Sequence, residues 1–242
     1  MPDLAAELSE AVRLYWRTRQ AQNTRQGAGG NRDQGDRAAV TGGAQMDGFV
    51  RIVRERLVEV GILEHTIFTA RRTIDLPGYF RPTKDWDLVV VHQRHLLAAM
   101  EFKSQAGPSF GNNFNNRTEE ALGNATDIWT AYREGAFHGS ARPWLGFFML
   151  LEKTEGSIRS VRTANSHFPV FPEFRNASYA RRYELLCQRL VRERLYSASC
   201  LLLSDRERGP DGWFEEPSKE LSFKNLLASL VGKAVEHAER EG

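Results

Sequence analysis

The stretch DWDLVVVHQRHLLAAMEFK, which runs from Asp85 to Lys103, decides how this chain of 242 residues folds. It holds two short apolar runs, Asp85 to Val91 and Leu96 to Lys103, joined by the polar connector His92-Gln93-Arg94-His95. Apolar runs separated by a polar connector of hairpin length are typical of adjacent antiparallel strands. We therefore expect a β-hairpin here.

Three ionisable residues interrupt the apolar character of this hairpin. Asp87 opens the first strand, and Glu101 and Lys103 share the second. Because side chains alternate along a strand, Glu101 and Lys103 project from the same face, and the hairpin brings Asp87 close to them. Asp87 and Glu101 are expected to hold Mg²⁺, which prefers oxygen ligands and promotes phosphodiester hydrolysis. Lys103 is expected to orient water or to neutralise charge in the transition state.

The same acids allow plainer interpretations. An acid and a lysine at this spacing also occur by chance, often as a surface salt bridge, although charges that flank a core need a reason. Asp85 has the same strand parity as Asp87 and competes with it as a metal ligand, unless it is an exposed residue at the strand entry. Asp47 is a further acid at the start of a predicted helix, where the helix dipole favours a negative charge without any metal.

The rest of the chain alternates between helical and strand patterns. Helical spacing of apolar residues predicts helices over 4–19, 46–60, about 117–133, 177–195 and 222–238. Strand patterns cover 66–74, 144–152 and 198–204. The polar, glycine-containing stretch 20–43 is predicted to be a mobile loop. This order indicates an α/β fold with a mixed sheet flanked by helices, formed by a single domain over 1–242.

Composition excludes several classes of protein. A hydrophobic content of 41% and a charged content of 26% are ordinary for a soluble globular chain. The longest apolar runs fall far short of the roughly 20 residues that cross a bilayer, and the first ten residues do not resemble a secretory signal, so we expect no membrane span and a cytoplasmic protein. Cys187 and Cys200 have no partners at zinc-ligand spacing and are expected to be reduced.

Positive charge is concentrated in one part of the chain. The net charge is only +2, but the segment 157–194 holds eight arginines, three glutamates and no lysine. This segment is either a surface that faces DNA phosphates or a solvated helix face in a chain with 27 arginines and six lysines. Arg181 and Arg182, at the head of the predicted helix, are our candidates for contacts with the DNA backbone.

Four motifs in this sequence resemble the XhoI family of restriction endonucleases. They are RPTKDWD at 81–87, EFKS at 101–104, GPSFGNNFNNR at 107–117 and HFPVFP at 167–172. The resemblance implies the PD-(D/E)xK nuclease fold, a mixed sheet flanked by helices, with the first metal acid at Asp87, the second at Glu101 and the lysine at Lys103. Trp86 stands where the motif's name has a proline, a departure that other nucleases of this fold tolerate.

The resemblance also implies a substrate and partners. It implies a homodimer that cuts both strands of double-stranded DNA at a short palindrome, CTCGAG or a related site, with Mg²⁺ as cofactor and 5′-phosphates on the products. Two-fold protein symmetry would match the two-fold site. A cognate DNA methyltransferase is the implied functional partner.

A cluster of amides follows the second strand of the hairpin. Amides pair with adenine edges or phosphates and arginine pairs with guanine or phosphate, so we expect DNA contacts here. The alternative is an asparagine-rich turn that caps a helix beginning near Arg117. His167, a lone histidine in the motif HFPVFP, is interpreted as a structural residue in preference to a catalytic base. The DNA-binding candidates of this cluster are Asn112, Asn113, Asn115, Asn116 and Arg117.

Two other functions stay open at this point. A repair or recombination nuclease of the same fold would act on DNA structure rather than on sequence. A DNA-binding protein that keeps the fold without the chemistry would bind and not cut. A metabolic enzyme is disfavoured, because the chain has neither a glycine-rich nucleotide loop nor a nucleophile motif.

Overall fold

A mixed β-sheet forms the centre of the protein. The computed structural model describes residues 3–28, 43–69, 73–163 and 167–241. The strands are β1 (Ile67–Phe68), β2 (Asp75–Pro77), β3 (Thr83–Asp85), β4 (Leu88–His92), β5 (His95–Gln105), β6 (Trp144–Glu152) and β7 (Ala198–Ser204). The main sheet has the order β1-β4-β5-β6-β7, and β2 and β3 form a separate two-stranded sheet. Strand β4 is antiparallel to β1 and β5, whereas β5, β6 and β7 are parallel.

Helices cover both faces of this sheet. The α-helices are α1 (Leu4–Ala28), α2 (Asp47–Glu59), α3 (Phe110–Arg133), α4 (Glu155–Ile158), α5 (Tyr179–Arg192) and α6 (Phe223–Glu241). Short 3₁₀ turns lie at Gly43–Met46, Glu64–Thr66, Pro172–Phe174, Gly209–Asp211 and Lys219–Leu221. The architecture confirms the predicted α/β class with a mixed sheet between helices.

The two faces of the sheet carry separate apolar cores. On one face, α1, α2 and α6 pack against side chains such as Met100, Phe102 and Phe148. On the other face, α3 and α5 pack against Phe147 and Met149. Strands β6 and β7 are buried along their whole length, because both of their faces are covered by helices. Glu101 and Lys103 have the parity of Ala99, which faces the core of α3 and α5.

The hairpin predicted from the opening stretch is confirmed, although its first strand begins at Leu88 rather than at Asp85, which belongs to β3. Leu88 pairs with Met100 and His92 pairs with His95. The two residues between the strands, Gln93 and Arg94, both have positive φ, at 49° and 69°. Positive φ at both central positions is the geometry of the type I′ turn, whose twist matches that of the flanking strands.

Two predicted segments are wrong in part. Helix α1 continues to Ala28, so residues 20–28 are helical rather than part of a mobile loop; residues 29–42 lie outside the described ranges. Extending an existing helix adds one hydrogen bond per residue, and glutamine and arginine favour helix, so the polar run lengthens the helix. In place of the single strand predicted over 66–74, the described residues form the two-residue β1, which pairs with β4. Residues 70–72 lie outside the described ranges, and β2 belongs to the other sheet.

Helices α1 and α2 approach closely at a glycine. A Cβ atom on Gly48 would lie 2.8 Å from the Ala11 Cα atom. Main-chain atoms cannot yield as a flexible side chain can, so the sequence needs a residue without a side chain at this contact. Gly123, in α3, has open space around its Cβ position.

We predict that these two glycines respond oppositely to alanine. Alanine favours helix at either position by about 0.5–1 kcal/mol, so Gly123→Ala should raise the free energy of unfolding. Gly48→Ala should lower it by about 1–3 kcal/mol, because the contact with Ala11 becomes overpacked. Urea denaturation of both variants measures the difference, and a Gly48→Ala protein as stable as Gly123→Ala would contradict the close approach of α1 and α2.

Candidate active site

Asp87 lies directly before β4 and is held against β5. Its backbone N–H donates to the Met100 carbonyl at 3.1 Å. Its carboxylate Oδ2 accepts a hydrogen bond of 2.7 Å from the Phe102 N–H. The acid is therefore held against β5 by its main chain and by its side chain, directly beside the segment that carries Glu101.

Glu101 is the buried centre of the site. Its side chain is 1% exposed, and its Oε2 lies 2.5 Å from the Lys103 Nζ. Its Oε1 forms an ion pair with Lys84 and lies 3.4 Å from the Asn124 amide nitrogen. Lys103 Nζ also lies 3.7 Å from Asp87 Oδ2. The structure thus brings the three predicted catalytic residues together around one ammonium group.

The charges of this cluster set its protonation. Burial raises the pKa of Asp87, and the neighbouring Glu101 carboxylate raises it further. Burial alone would raise the pKa of Glu101, but the charges of Lys103 and Lys84 outweigh it and hold that pKa below its usual value. Burial would lower the pKa of Lys103, but the two carboxylates raise it. Glu101 is therefore ionised and Lys103 is protonated near neutral pH.

The donor atoms of the cluster fit a hard divalent cation. Asp87 and Glu101 both contact the Lys103 ammonium, so the site brings two carboxylates to one charged group. Glu101 Oε2 is buried, and among the described residues its contact with the Lys103 ammonium does not meet the geometry of a hydrogen bond. Within the described ranges, no three His, Cys, Asp or Glu side chains group closely enough to hold an ion. Two carboxylates leave other positions to water and phosphate, as Mg²⁺ prefers.

The two competing acids lie in different surroundings. Asp85 ends β3, where its backbone pairs with Asp75 in the small sheet, and its side chain is exposed. Asp47 begins α2, whose buried side chains pack on the sheet face opposite Glu101. Burial raises the pKa of Asp47. A first-turn position on that helix agrees with the dipole interpretation.

The asparagine cluster lies in a helix rather than in a loop. Helix α3 begins at Phe110, so the expectation of a capping turn before Arg117 is wrong. The rings of Phe110 and Tyr179 stack with centroids 6.0 Å apart, and Phe114 meets Tyr183 edge-on at 5.1 Å. Phe110 and Phe114, four residues apart on α3, thus both pack against α5, and this tertiary packing offsets the weak helix propensity of glycine and asparagine. The exposed amides are those of Asn112, Asn115 and Asn116, and that of Asn113 is half-buried.

The two arginines of α5 differ in their surroundings. Arg181 is exposed and pairs with Glu184 at 2.7 Å. Arg182 donates to the carbonyls of Ala177 and Val161, at 3.1 and 3.3 Å, and so holds the preceding segment. Arg181 is therefore the more accessible of the two. His167 is exposed on that same preceding segment.

The sequence analysis missed the residues that complete the cluster. Lys84 reaches Glu101 from β3 and lies 5.0 Å from the Trp86 ring centroid. Asn124 reaches Glu101 from α3. Both contacts join elements far apart along the chain, and the pairing of β2 with β3 was not predicted. Lys84 could have been proposed from the sequence because it lies inside the motif RPTKDWD, three residues before Asp87.

A buried aspartate fastens the small sheet to α3. Asp127 Oδ1 accepts hydrogen bonds of 2.7 and 2.9 Å from the N–H groups of Tyr79 and Phe80. Its Oδ2 accepts from Arg81 Nε at 2.7 Å. Burial alone would raise the pKa of Asp127, but these hydrogen bonds outweigh it and lower that pKa. The anchor fixes the turn between β2 and β3, and β3 carries Lys84.

Comparisons with known proteins agree on one family. The family model described as restriction endonuclease XhoI matches residues 25–216. The type II restriction enzyme BstVI of Geobacillus stearothermophilus is 53% identical over 205 residues, which are 83% of this chain and 91% of that protein. The type II restriction enzyme XhoI of Xanthomonas vasicola is 48% identical over 158 residues, or 65% of this chain and 64% of that protein.

A third relative extends the same finding. The type II restriction enzyme AbrI of Azospirillum brasilense is 46% identical over 168 residues, covering 69% of this chain and 75% of that protein. No solved structure gives a significant match. Among the helices of the described ranges, none combines the length and apolarity needed to cross a bilayer.

We predict a pH-dependent contribution of Asp127 to stability. Asp127→Asn keeps the shape of the anchor and removes its charge, so it should lower the free energy of unfolding by about 1–2 kcal/mol at pH 7. Since the pKa of Asp127 is depressed in the folded protein, the stabilisation by its charge is fully present above the unfolded pKa, about 3.9, and is lost as the pH falls through the folded value.

Urea unfolding between pH 7 and the acid limit of folding measures this effect. The stability difference between the natural protein and Asp127→Asn should shrink below about pH 4. A difference that stays constant over the whole range would show that the charge of Asp127 does not hold the turn.

Proposed function

The chain belongs to the XhoI family of restriction endonucleases, and on that premise we propose that it hydrolyses double-stranded DNA at a specific short site with Mg²⁺. The observation that carries the proposal is the contact of two carboxylates, Asp87 and buried Glu101, with the one ammonium of Lys103. These three residues lie within the part of the chain that matches the family. Its relatives are named type II restriction enzymes.

The residues of the cluster have distinct roles in this proposal. Asp87 and Glu101 would hold Mg²⁺, which when bound would polarise the phosphate and make the attacking water more acidic. Lys103, kept protonated by the two carboxylates, donates hydrogen bonds to the phosphate oxygens or orients the attacking water. The water oxygen bonds to phosphorus and gives a proton to solvent, the bond to the 3′ oxygen breaks, and that oxygen takes a proton from solvent. The products carry a 5′-phosphate and a 3′-hydroxyl.

Recognition requires two copies of the site. We propose a homodimer in which each protomer cuts one strand of a palindrome, CTCGAG or a related site, because a two-fold protein matches a two-fold sequence. Direct contacts with DNA are assigned to two groups of residues. In α3 they are Asn112, Asn113, Asn115, Asn116 and Arg117, and in α5 they are Arg181 and Arg182. Support comes from the exposed amides in the first turns of α3.

A restriction nuclease of this kind needs a functional partner that protects the DNA of its own cell. A nuclease that cuts a short site would cut the DNA of its own cell, so a methyltransferase that modifies the same site is its functional partner. The protein then works in the cytoplasm, beside that DNA. We further propose that the chain acts as one endonuclease domain.

We predict that the purified protein cuts a sequenced plasmid into discrete fragments when Mg²⁺ is present and leaves it intact when EDTA replaces the metal. Sequencing the fragment ends gives the site and shows whether 5′-phosphates are formed. Scattered cuts would favour a nuclease directed by DNA structure. Specific binding with no cleavage at any metal concentration would leave a DNA-binding protein.

We predict that Glu101→Gln and Asp87→Asn each slow cleavage by roughly 100-fold or more, since each removes a charge that the transition state needs. Asp85→Asn is the matched control, because it makes the same change two residues from Asp87 on an exposed side chain. It should cut within a few-fold of the natural rate. Rapid cleavage by a folded Glu101→Gln protein, or slow cleavage by Asp85→Asn alone, would overturn the assigned acids.

A further inference from the structure

A polar cleft of about 480 Å³ lies directly beside Lys103. Four of the side chains that line it are cationic, two are acidic and two are neutral and polar. They are Arg81, Lys84, Lys103, Arg117, Asp85, Glu120, Thr83 and Asn124. This lining suits a small, negatively charged group better than an apolar ligand or a base. Its basic side chains come from the small sheet, from β5 and from α3.

Lys84 has a donor to spare in this cleft. An ammonium group carries three N–H donors. One partner of Lys84 is Glu101 Oε1 and a second is the Asp85 carbonyl. The lysine therefore satisfies the buried acid and still has a donor for a ligand in the cleft that it lines.

Arg117 carries further unused donors. A guanidinium group has five N–H donors in a planar fork. The Arg117 Nη1 donates to Glu120, while its buried Nε has no hydrogen-bond partner within the described residues. A fork of this kind pairs with two oxygens of one phosphate. Since Arg117 lines the basic cleft and directs Nη1 to Glu120, the rest of its guanidinium suits an anionic ligand there.

We propose that this cleft binds a DNA backbone phosphate adjacent to the phosphate that is hydrolysed, through Lys84 and Arg117. The inference rests on the proposed function, and it assigns a binding site for a phosphate that is not cut. Arg81 forms a wall of the cleft, with its guanidinium held by Asp127 and by Asn124 at 2.7 Å each. Since Lys84 touches both the cleft and Glu101, a phosphate bound there fixes the DNA strand relative to the acidic pair. Such positioning places the scissile phosphate for in-line attack.

Equilibrium binding in EDTA tests the site without any cleavage. Affinity of the natural protein, Lys84→Gln and Arg117→Gln is measured by fluorescence anisotropy over a range of salt concentrations. Two duplexes are used, one with the site found by plasmid mapping and one of scrambled sequence. Each phosphate contact contributes about 0.9 to the slope of log affinity against log salt concentration. Each variant should therefore lower the magnitude of the slope by about 0.9, and equally on both duplexes.

Matched controls separate a local contact from a general loss of charge. Lys224→Gln removes an exposed lysine from α6, on the opposite face of the sheet, and Arg133→Gln removes an exposed arginine from the far end of α3. Both should leave the slope unchanged. Circular dichroism confirms that every variant is folded. Arg117 is the second test residue because it pairs with Glu120 and not with Glu101. Its replacement therefore removes a cleft donor without breaking a contact of the buried acid.

Each other outcome overturns the assignment. Unchanged slopes in folded Lys84→Gln and Arg117→Gln would mean that the two side chains serve only Glu101 and Glu120. A loss confined to the cognate duplex would make them base-reading residues rather than phosphate contacts. A natural protein that binds neither duplex would instead refute the proposed function itself, which is a separate result.

Discussion

The burial of one carboxylate constrains much of this structure. Glu101 lies in the middle of β5 with a side chain that is 1% exposed, and a charge in such a place must be compensated. The compensation comes from three directions, Lys103 on the same strand, Lys84 on β3 and Asn124 on α3. Removing one partner of a buried ion pair costs about 3–5 kcal/mol in other proteins. The small sheet and α3 therefore each supply a polar group that compensates the buried charge of Glu101.

Helix α3 joins the two halves of this arrangement along a single stripe. Arg117, Glu120, Asn124 and Asp127 recur at intervals of three and four residues, the spacing that places side chains on one helix face. The first three line the cleft, the third also reaches Glu101, and the last fastens the turn between β2 and β3. The asparagines lie in the first turns of the same helix. A displacement of α3 would therefore be transmitted to the acid, to the cleft and to the amides together.

The local part of this design could be predicted from the sequence, and the long-range part could not. The two apolar runs and the polar connector were enough to predict the β4–β5 hairpin. The alternating direction of side chains along a strand was enough to predict the shared face of Glu101 and Lys103. The start of α3 was misplaced because Gly111 and the asparagines argue against helix, whereas stacking of Phe110 on Tyr179, a contact between distant segments, decides it. The contact of Lys84 with Glu101 depends on the three-residue strands β2 and β3, which are too short to give a periodic signal.

The way in which Asp127 holds its turn has a consequence for how this protein can change over generations. The carboxylate grips residues 79 and 80 by their backbone N–H groups, which every residue except proline provides. The side chains of Tyr79 and Phe80 are 54% and 70% exposed and take no part in the grip. Mutation can therefore replace these two aromatic rings without loosening the turn that positions β3. The surface at Tyr79 and Phe80 can therefore vary from one descendant to the next while the backbone that carries β3 keeps its place.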